Sequence, residues 1–178
     1  MAMGNELQAW MAQEHAARSR MDGGAGAGVI HPEQMAGRTG LETMQAMLRG
    51  ELPYPPIART LDFLLLEVDD GRALFQGAPG PAHLNPMGGI HGGWYATLLD
   101  SALGCAVHTK MPVGRAYTTA ELGVNLVRAI GDKASRVRAE GKVIHCGRQL
   151  ATAEARLYGS DGTLYAHATT TCLVFEMR

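Results

Sequence analysis

Asp100 is the only Asp, Glu, Lys or Arg between Ala73 and Thr109. Its neighbours at helical spacing are Ala96, Thr97, Leu103 and Gly104, so no cation three or four residues away pairs with it,. Burying an ionised carboxylate among apolar groups is costly unless something compensates it, and an isolated acid in such a run points to a working group. Gly92 stands eight residues earlier, in the glycine-rich stretch Asn85-Pro86-Met87-Gly88-Gly89-Ile90-His91-Gly92-Gly93. If that stretch opens a helix, its backbone N–H groups are free donors at the positive end of the helix dipole and can polarise a carbonyl oxygen. Gly92 and Gly93 carry no side chain to block a substrate oxygen. A carboxylate and carbonyl-polarising donors are what attack on an acyl carbon requires.

Holding these groups takes a loop, a helix and something around the helix. Gly92 to about Val107 is apolar on nearly all sides, the pattern of a helix enclosed by other structure,. Leu61 to Val68 and Arg72 to Ala78 read as a hairpin turning at Asp69-Asp70-Gly71,. Four further strands follow the helix, Ala116 to Val127, Ala134 to His145, Gln149 to Tyr158 and Leu164 to Phe175,. Their turns fall at Gly131-Asp132, Gly147-Arg148 and Ser160-Asp161-Gly162,. The class is α+β, an antiparallel sheet of about six strands wrapped around a long central helix, over residues 51–178. Residues 1–50 read as an N-terminal extension, helical and Gly-rich and partly mobile, of which residues 1–30 have no chemistry of their own. It holds a short amphipathic helix from Gly40 to Gly50, with Leu41, Met44, Met47 and Leu48 on one face,.

Asn85 lies six residues before His91, and Asp100 nine after it. With Gly92 and Gly93 between, this pattern resembles the hotdog-fold acyl-CoA thioesterases of the phenylacetate-pathway (PaaI-like) type, over a stretch from about Glu51 to the C-terminus. The resemblance implies a hotdog fold and hydrolysis of a CoA thioester to CoA and a free carboxylic acid. It implies Asp100 as nucleophile or general base, the Gly92 N–H as oxyanion donor and the Asn85 amide orienting substrate or water. It places Thr119 where the family holds the attacking water with a Ser or Thr. His91 and Gly93 flank the donors on the substrate side, His91 fixing the loop by hydrogen bonding. No cofactor is expected, coenzyme A being part of the substrate.

Helix geometry adds a constraint of its own. Gly92 and Asp100 are eight residues apart, about 12 Å along a helix axis, so one thioester can hardly touch both groups of the same helix. Two helices antiparallel across a two-fold axis would bring the Asp100 of one chain near the Gly92 of the other. The hotdog dimers that this sequence resembles share their sites in that way, and PaaI-like members often pair further into tetramers.

Bulk composition, 46% hydrophobic and 19% charged with a net charge of −1, offers no general attraction to nucleic acid or to an anionic membrane,. Charge is uneven, however. Residues 110–178 hold 10 Lys/Arg against 6 Asp/Glu, and residues 1–109 hold 6 against 11. Arg128, at a strand end, and Arg148, in a turn, are candidates for the CoA phosphates. The three cysteines form no C-x-x-C pair and the seven histidines no i, i+4 pair, so no metal site is expected,. With no signal-like or membrane-length apolar segment, a cytoplasmic location is expected.

Cys105 and His108, three apart on the helix, form a nucleophile–base pair on paper only; Cys105 reads better as a small buried residue. Two other readings of the whole chain are an acyl-CoA-binding hotdog module without turnover and a hotdog hydratase or dehydratase. The combined presence of Asn85, Gly92 and Asp100 argues against the first. The differently placed His/acid pair of the second has no match here. Trp94, Tyr95 and the Met/Leu-rich segment before residue 50 are candidate walls of an aryl or medium-chain acyl pocket.

Overall fold

A computed structural model describes residues 2–131 and 134–177, with side chains described from residue 5 onward. The 178-residue chain forms the helices α1 (Ala2–Gly23), α2 (Pro32–Met35), α3 (Gly40–Leu48) and α4 (Pro56–Thr60), then the hairpin β1 (Phe63–Asp69) and β2 (Arg72–Gly77). The long helix α5 (Gly92–Thr109) follows, and then β3 (Arg115–Leu126), β4 (Val137–Cys146), β5 (Leu150–Gly159) and β6 (Leu164–Glu176). Every strand run read from the sequence is present, with ends displaced by up to three residues. The expected turn at Gly131-Asp132 falls partly outside the described residues.

All strand pairs are antiparallel in one sheet of order β1-β2-β4-β5-β6-β3. The sheet curls around α5, the arrangement that the hotdog resemblance implies. On its inner face Phe75, Ala139, Leu157 and Ala166 are all under 4% exposed. On α5, Leu98, Leu99, Ala102, Leu103, Ala106 and Val107 are fully buried. One stripe of the helix escapes enclosure. Gly93 is exposed, and Thr97, Asp100, Ser101, Cys105 and His108 are half-buried. Their spacing of three and four residues makes a continuous line, and the line looks out past β3. That strand is an edge with no partner on its outer side, and β1 is the other edge.

The outer face of β1, β2, β4 and β5 carries α1. Trp10, Glu14, Ala17 and Met21 recur at helical spacing and are all buried,. Glu14 accepts hydrogen bonds from the Gln76 amide at 2.9 Å, from Arg18 at 3.0 Å and from Arg136. Burial alone would push the Glu14 carboxyl up, but these donors outweigh it and hold the pKa below the ordinary value,. The Arg138 guanidinium lies 4.2 Å over the Trp10 ring and donates to Gln76 at 2.9 Å,. A helix expected as a loose extension is thus tied down by a buried polar network.

Candidate active site

The loop before α5 is built by its own side chains. Asn85 Oδ1 accepts the N–H of Met87 at 2.9 Å and of Gly89 at 3.2 Å, and the Asn85 N–H donates to the Gly89 carbonyl at 2.8 Å. His91 is the N-cap, its Nδ1 accepting the Gly93 N–H at 2.9 Å and its carbonyl accepting that of Trp94 at 2.9 Å,. The Gly92 N–H finds no acceptor among the described residues. It is therefore a free donor at the positive end of an 18-residue helix,. A methyl placed on Gly92 would come within 3.1 Å of a Leu126 methyl. His91 and Gly93 thus act on each other, and Asn85 Oδ1 is spent on the loop, which leaves its NH2 without an acceptor among the described residues.

Asp100 lies two turns further along the half-buried stripe. The Thr119 hydroxyl donates to its Oδ1 at 3.2 Å. No Lys, Arg or His forms an ion pair with Asp100 among the described residues. Thr119 reaches it because it points inward immediately before a β-bulge, where Thr119 pairs with Cys172 but Glu121 with Thr171. The extra residue, Ala120, resets the alternation so that Leu122 and Val124 then face the helix,. Gly92 and Asp100 of one chain stay about 12 Å apart along the axis.

Beside Asp100 and Thr119 opens a cavity of about 500 Å³ that sequence reasoning did not locate. Met35, Met44 and Met47 of α2 and α3 form one wall, and Cys105, His108 and Tyr117 the other, with Thr119 at the end that touches Asp100. Burial, and then the charge of Asp100, push the Cys105 thiol up to about 12. Burial pushes the His108 imidazole down. Both groups are neutral at pH 7, and no hydrogen bond joins them, so the Cys105–His108 pair has neither a thiolate nor an activated base. Burial likewise keeps the Tyr117 phenol protonated.

Trp94 and Tyr95 are elsewhere. The Trp94 indole donates to the Leu61 carbonyl at 2.8 Å, and the Tyr95 hydroxyl accepts from the Ile130 N–H at 2.8 Å. Both rings are core, 3% exposed, and neither lines the cavity. Of the three acyl-wall candidates, only the methionine segment stands at it. Arg128 and Arg148 are also apart within one chain. Arg128 follows the end of β3, and Arg148 turns from β4 to β5 with its carbonyl held by Arg115 at the start of β3. The 12 residues of β3 separate them by roughly 35 Å,.

Sheet, enclosed helix and donor loop together define a hotdog-fold thioesterase. Residues 87–166 match the family model described as the thioesterase superfamily, a stretch that holds His91, Gly92, Asp100 and Thr119 and stops short of Asn85. The phenylacetic acid degradation-related protein of Ralstonia eutropha JMP134 is 30% identical, with a TM-score of 0.66, covering 72% of this chain and 97% of its own. A single-site mutant of the phenylacetic acid degradation protein PaaI of Thermus thermophilus is 28% identical at a TM-score of 0.60, covering 66% of this chain and 97% of its own. A thioesterase family protein of Silicibacter pomeroyi is 28% identical at a TM-score of 0.63, covering 68% and 90%. No curated protein sequence matches this chain. The chain belongs to the PaaI-type thioesterases of this superfamily and is a thioester hydrolase. No helix among its described residues is long and apolar enough to cross a membrane.

Proposed function

We propose that the protein hydrolyses an acyl-CoA thioester at a site shared by two chains, with Gly92 of one chain and Asp100 of the other acting on the same carbonyl. The observation that carries this reading is the pairing of a free Gly92 N–H with an Asp100 that no cation neutralises, too far apart on one helix to serve one carbon,. The uncovered stripe of α5 and the unpaired edge of β3 support a second copy lying alongside,. Two β3 strands set antiparallel would also bring the start of one beside the end of the other, and so Arg148 of one chain towards Arg128 of its partner, around a nucleotide phosphate.

The thioester oxygen accepts the Gly92 N–H as negative charge develops on it. Asp100 either attacks the carbonyl carbon or takes a proton from the water that does, and both routes need it ionised. Thr119 holds the carboxylate, or the water beside it, by donating its hydroxyl proton. Asn85 turns its free NH2 towards the substrate. The C–S bond breaks and CoA leaves as the thiol, protonated by the proton that Asp100 took from the attacking water or, where Asp100 itself attacked, by a water molecule. In that second route another water then hydrolyses the acyl–Asp100 anhydride, and in both the acid is released and Asp100 is left ionised.

Asp100→Asn keeps the shape and removes the charge. It is expected to lower kcat on a good CoA thioester by roughly a hundredfold or more, with thermal stability at or above that of the wild type. Near-wild-type turnover by the purified variant would remove Asp100 from the reaction.

A further inference from the structure

The wall of the 500 Å³ cavity comes from a part of the chain that the hotdog elements do not need. Every strand and the central helix lie beyond residue 62. The Ralstonia relative matches over 97% of its own length and leaves 28% of this chain unmatched. The segment is nevertheless fixed in place. Thr39 caps α3 in a reciprocal box with Glu42, with bonds of 2.7 and 3.2 Å,. The Gly40 N–H donates to the Met111 carbonyl at 2.8 Å, where the backbone of α3 meets the end of α5.

We propose that the segment from Ile30 to Met47 is the acyl-binding wall of the active site, and that the substrate's acyl group is uncharged, apolar and larger than acetyl. This deepens the thioesterase reading and rests on it. Continuity with the chemistry is direct, since Thr119 both lines the cavity and holds Asp100. A cavity of this size lies within the range of clefts that enclose small organic ligands, about 300–1,000 Å³. Three methionines present unbranched, polarisable chains that adapt to an alkyl or aryl surface. Among the described residues no Asp, Glu, Lys or Arg lines the cavity, and its thiol, imidazole and phenol are neutral at pH 7. An acyl group ending in a carboxylate would lie there without a partner, close to Asp100, at high cost.

Met35→Trp fills the cavity from α2, where Met35 is half-buried, and Met47→Ala widens it from α3. The measured quantity is the ratio of kcat/KM for octanoyl-CoA to that for acetyl-CoA and for succinyl-CoA, because a folding defect lowers all three together and leaves the ratios alone. Binding of S-octyl-CoA and S-methyl-CoA, thioethers that cannot be hydrolysed, is measured alongside by calorimetry. Wild type is expected to favour octanoyl-CoA over both others by at least roughly tenfold. Met35→Trp should remove most of that preference, and Met47→Ala should extend it to dodecanoyl-CoA. If no thioester is hydrolysed, yet S-octyl-CoA binds more tightly than S-methyl-CoA in wild type and not in Met35→Trp, the pocket stands and the hydrolytic reading falls. If thioesters are hydrolysed with ratios that neither variant moves, or S-octyl-CoA binds no better than S-methyl-CoA, the acyl wall is elsewhere.

Discussion

Gly141 lies on the inner face of β4 directly under α5, opposite Ala102 and Leu103 and two residues along the helix from Asp100. A Cβ built there meets the Ala102 carbonyl oxygen inside van der Waals contact, with the Ala102 carbon at 2.5 Å and the Leu103 nitrogen at 2.9 Å. All three are backbone atoms, so no side chain can swing away. Restoring an ordinary contact of 3.4 Å from 2.5 Å requires the helix and strand to part by about 1 Å,. Gly→Ala by itself stabilises by about 0.4–1 kcal/mol through the unfolded chain. Overpacking a core costs about 1–3 kcal/mol, and strain between two backbones belongs at the upper end. Overpacking wins, and Gly141→Ala should lose about 1–2 kcal/mol in urea unfolding. Because the displaced turn carries Asp100, kcat/KM on a CoA thioester should fall by roughly a hundredfold, the effect of misplacing a reacting group by about 1 Å. Gly80→Ala is the control, since nothing lies within 4 Å of its Cβ and its φ of −155° suits any residue. A Gly141→Ala protein as stable and as active as the control would mean that the packing of α5 on β4 does not position Asp100.

Mixing Asp100→Ala with Gly92→Val, each expected to be inactive alone, should restore activity once subunits exchange, because one site of each mixed dimer then keeps both parts; no recovery with mixed dimers present would mean that each chain works alone. Arg148→Ala and Arg128→Ala should each raise KM for acyl-CoA with little change in kcat, and an unchanged KM in both would take them out of the nucleotide site. Glu14→Gln should cost about 1–3 kcal/mol at pH 7 by weakening a buried network. Since the folded Glu14 pKa lies below the ordinary 4.5, that stabilisation is fully present above pH 4.5 and lost as pH falls through the lower, folded value. The gap between wild type and Glu14→Gln in urea midpoints should therefore close in acid, and a gap that stays constant from pH 7 to pH 3 would show that the Glu14 charge is not what stabilises.

The sheet and central helix were legible because their signals are local. Alternation marked the strands, and Gly71, at a φ of +76°, occupies the turn that Asp69-Asp70-Gly71 announced,. The Asn85–Gly93 loop was legible for the same reason, since the side-chain hydrogen bonds of Asn85 and His91 all close within four residues. The packing of α1 was not. Its buried stripe contains a carboxylate, and Glu14 belongs inside because Gln76 and Arg136 wait 62 and 122 residues away to donate to it. Trp10 and Ala17 could be picked out as apolar contacts in the sequence, but only the fold supplies the partners of the carboxylate between them. Thr119 shows a subtler limit. Strict alternation puts Thr119, Glu121 and Gly123 on one face, and a bulge that no periodicity reveals turns Leu122 and Val124 inward instead.

The two arginines bring out a limit of another kind. They were chosen from the charge balance of one half of the chain, a property without direction, and β3 holds them roughly 35 Å apart,. That distance rules out a nucleotide site made by both within one chain. It does not rule out one made by two chains, because an antiparallel two-fold exchanges the ends of the strand. In the proposed dimer the same operation would carry Asp100 of one helix to Gly92 of the other. There the separation along α5 and the separation along β3 would be two reasons, one for the acyl carbon and one for the phosphates, why a single copy of this chain supplies only half of a site,.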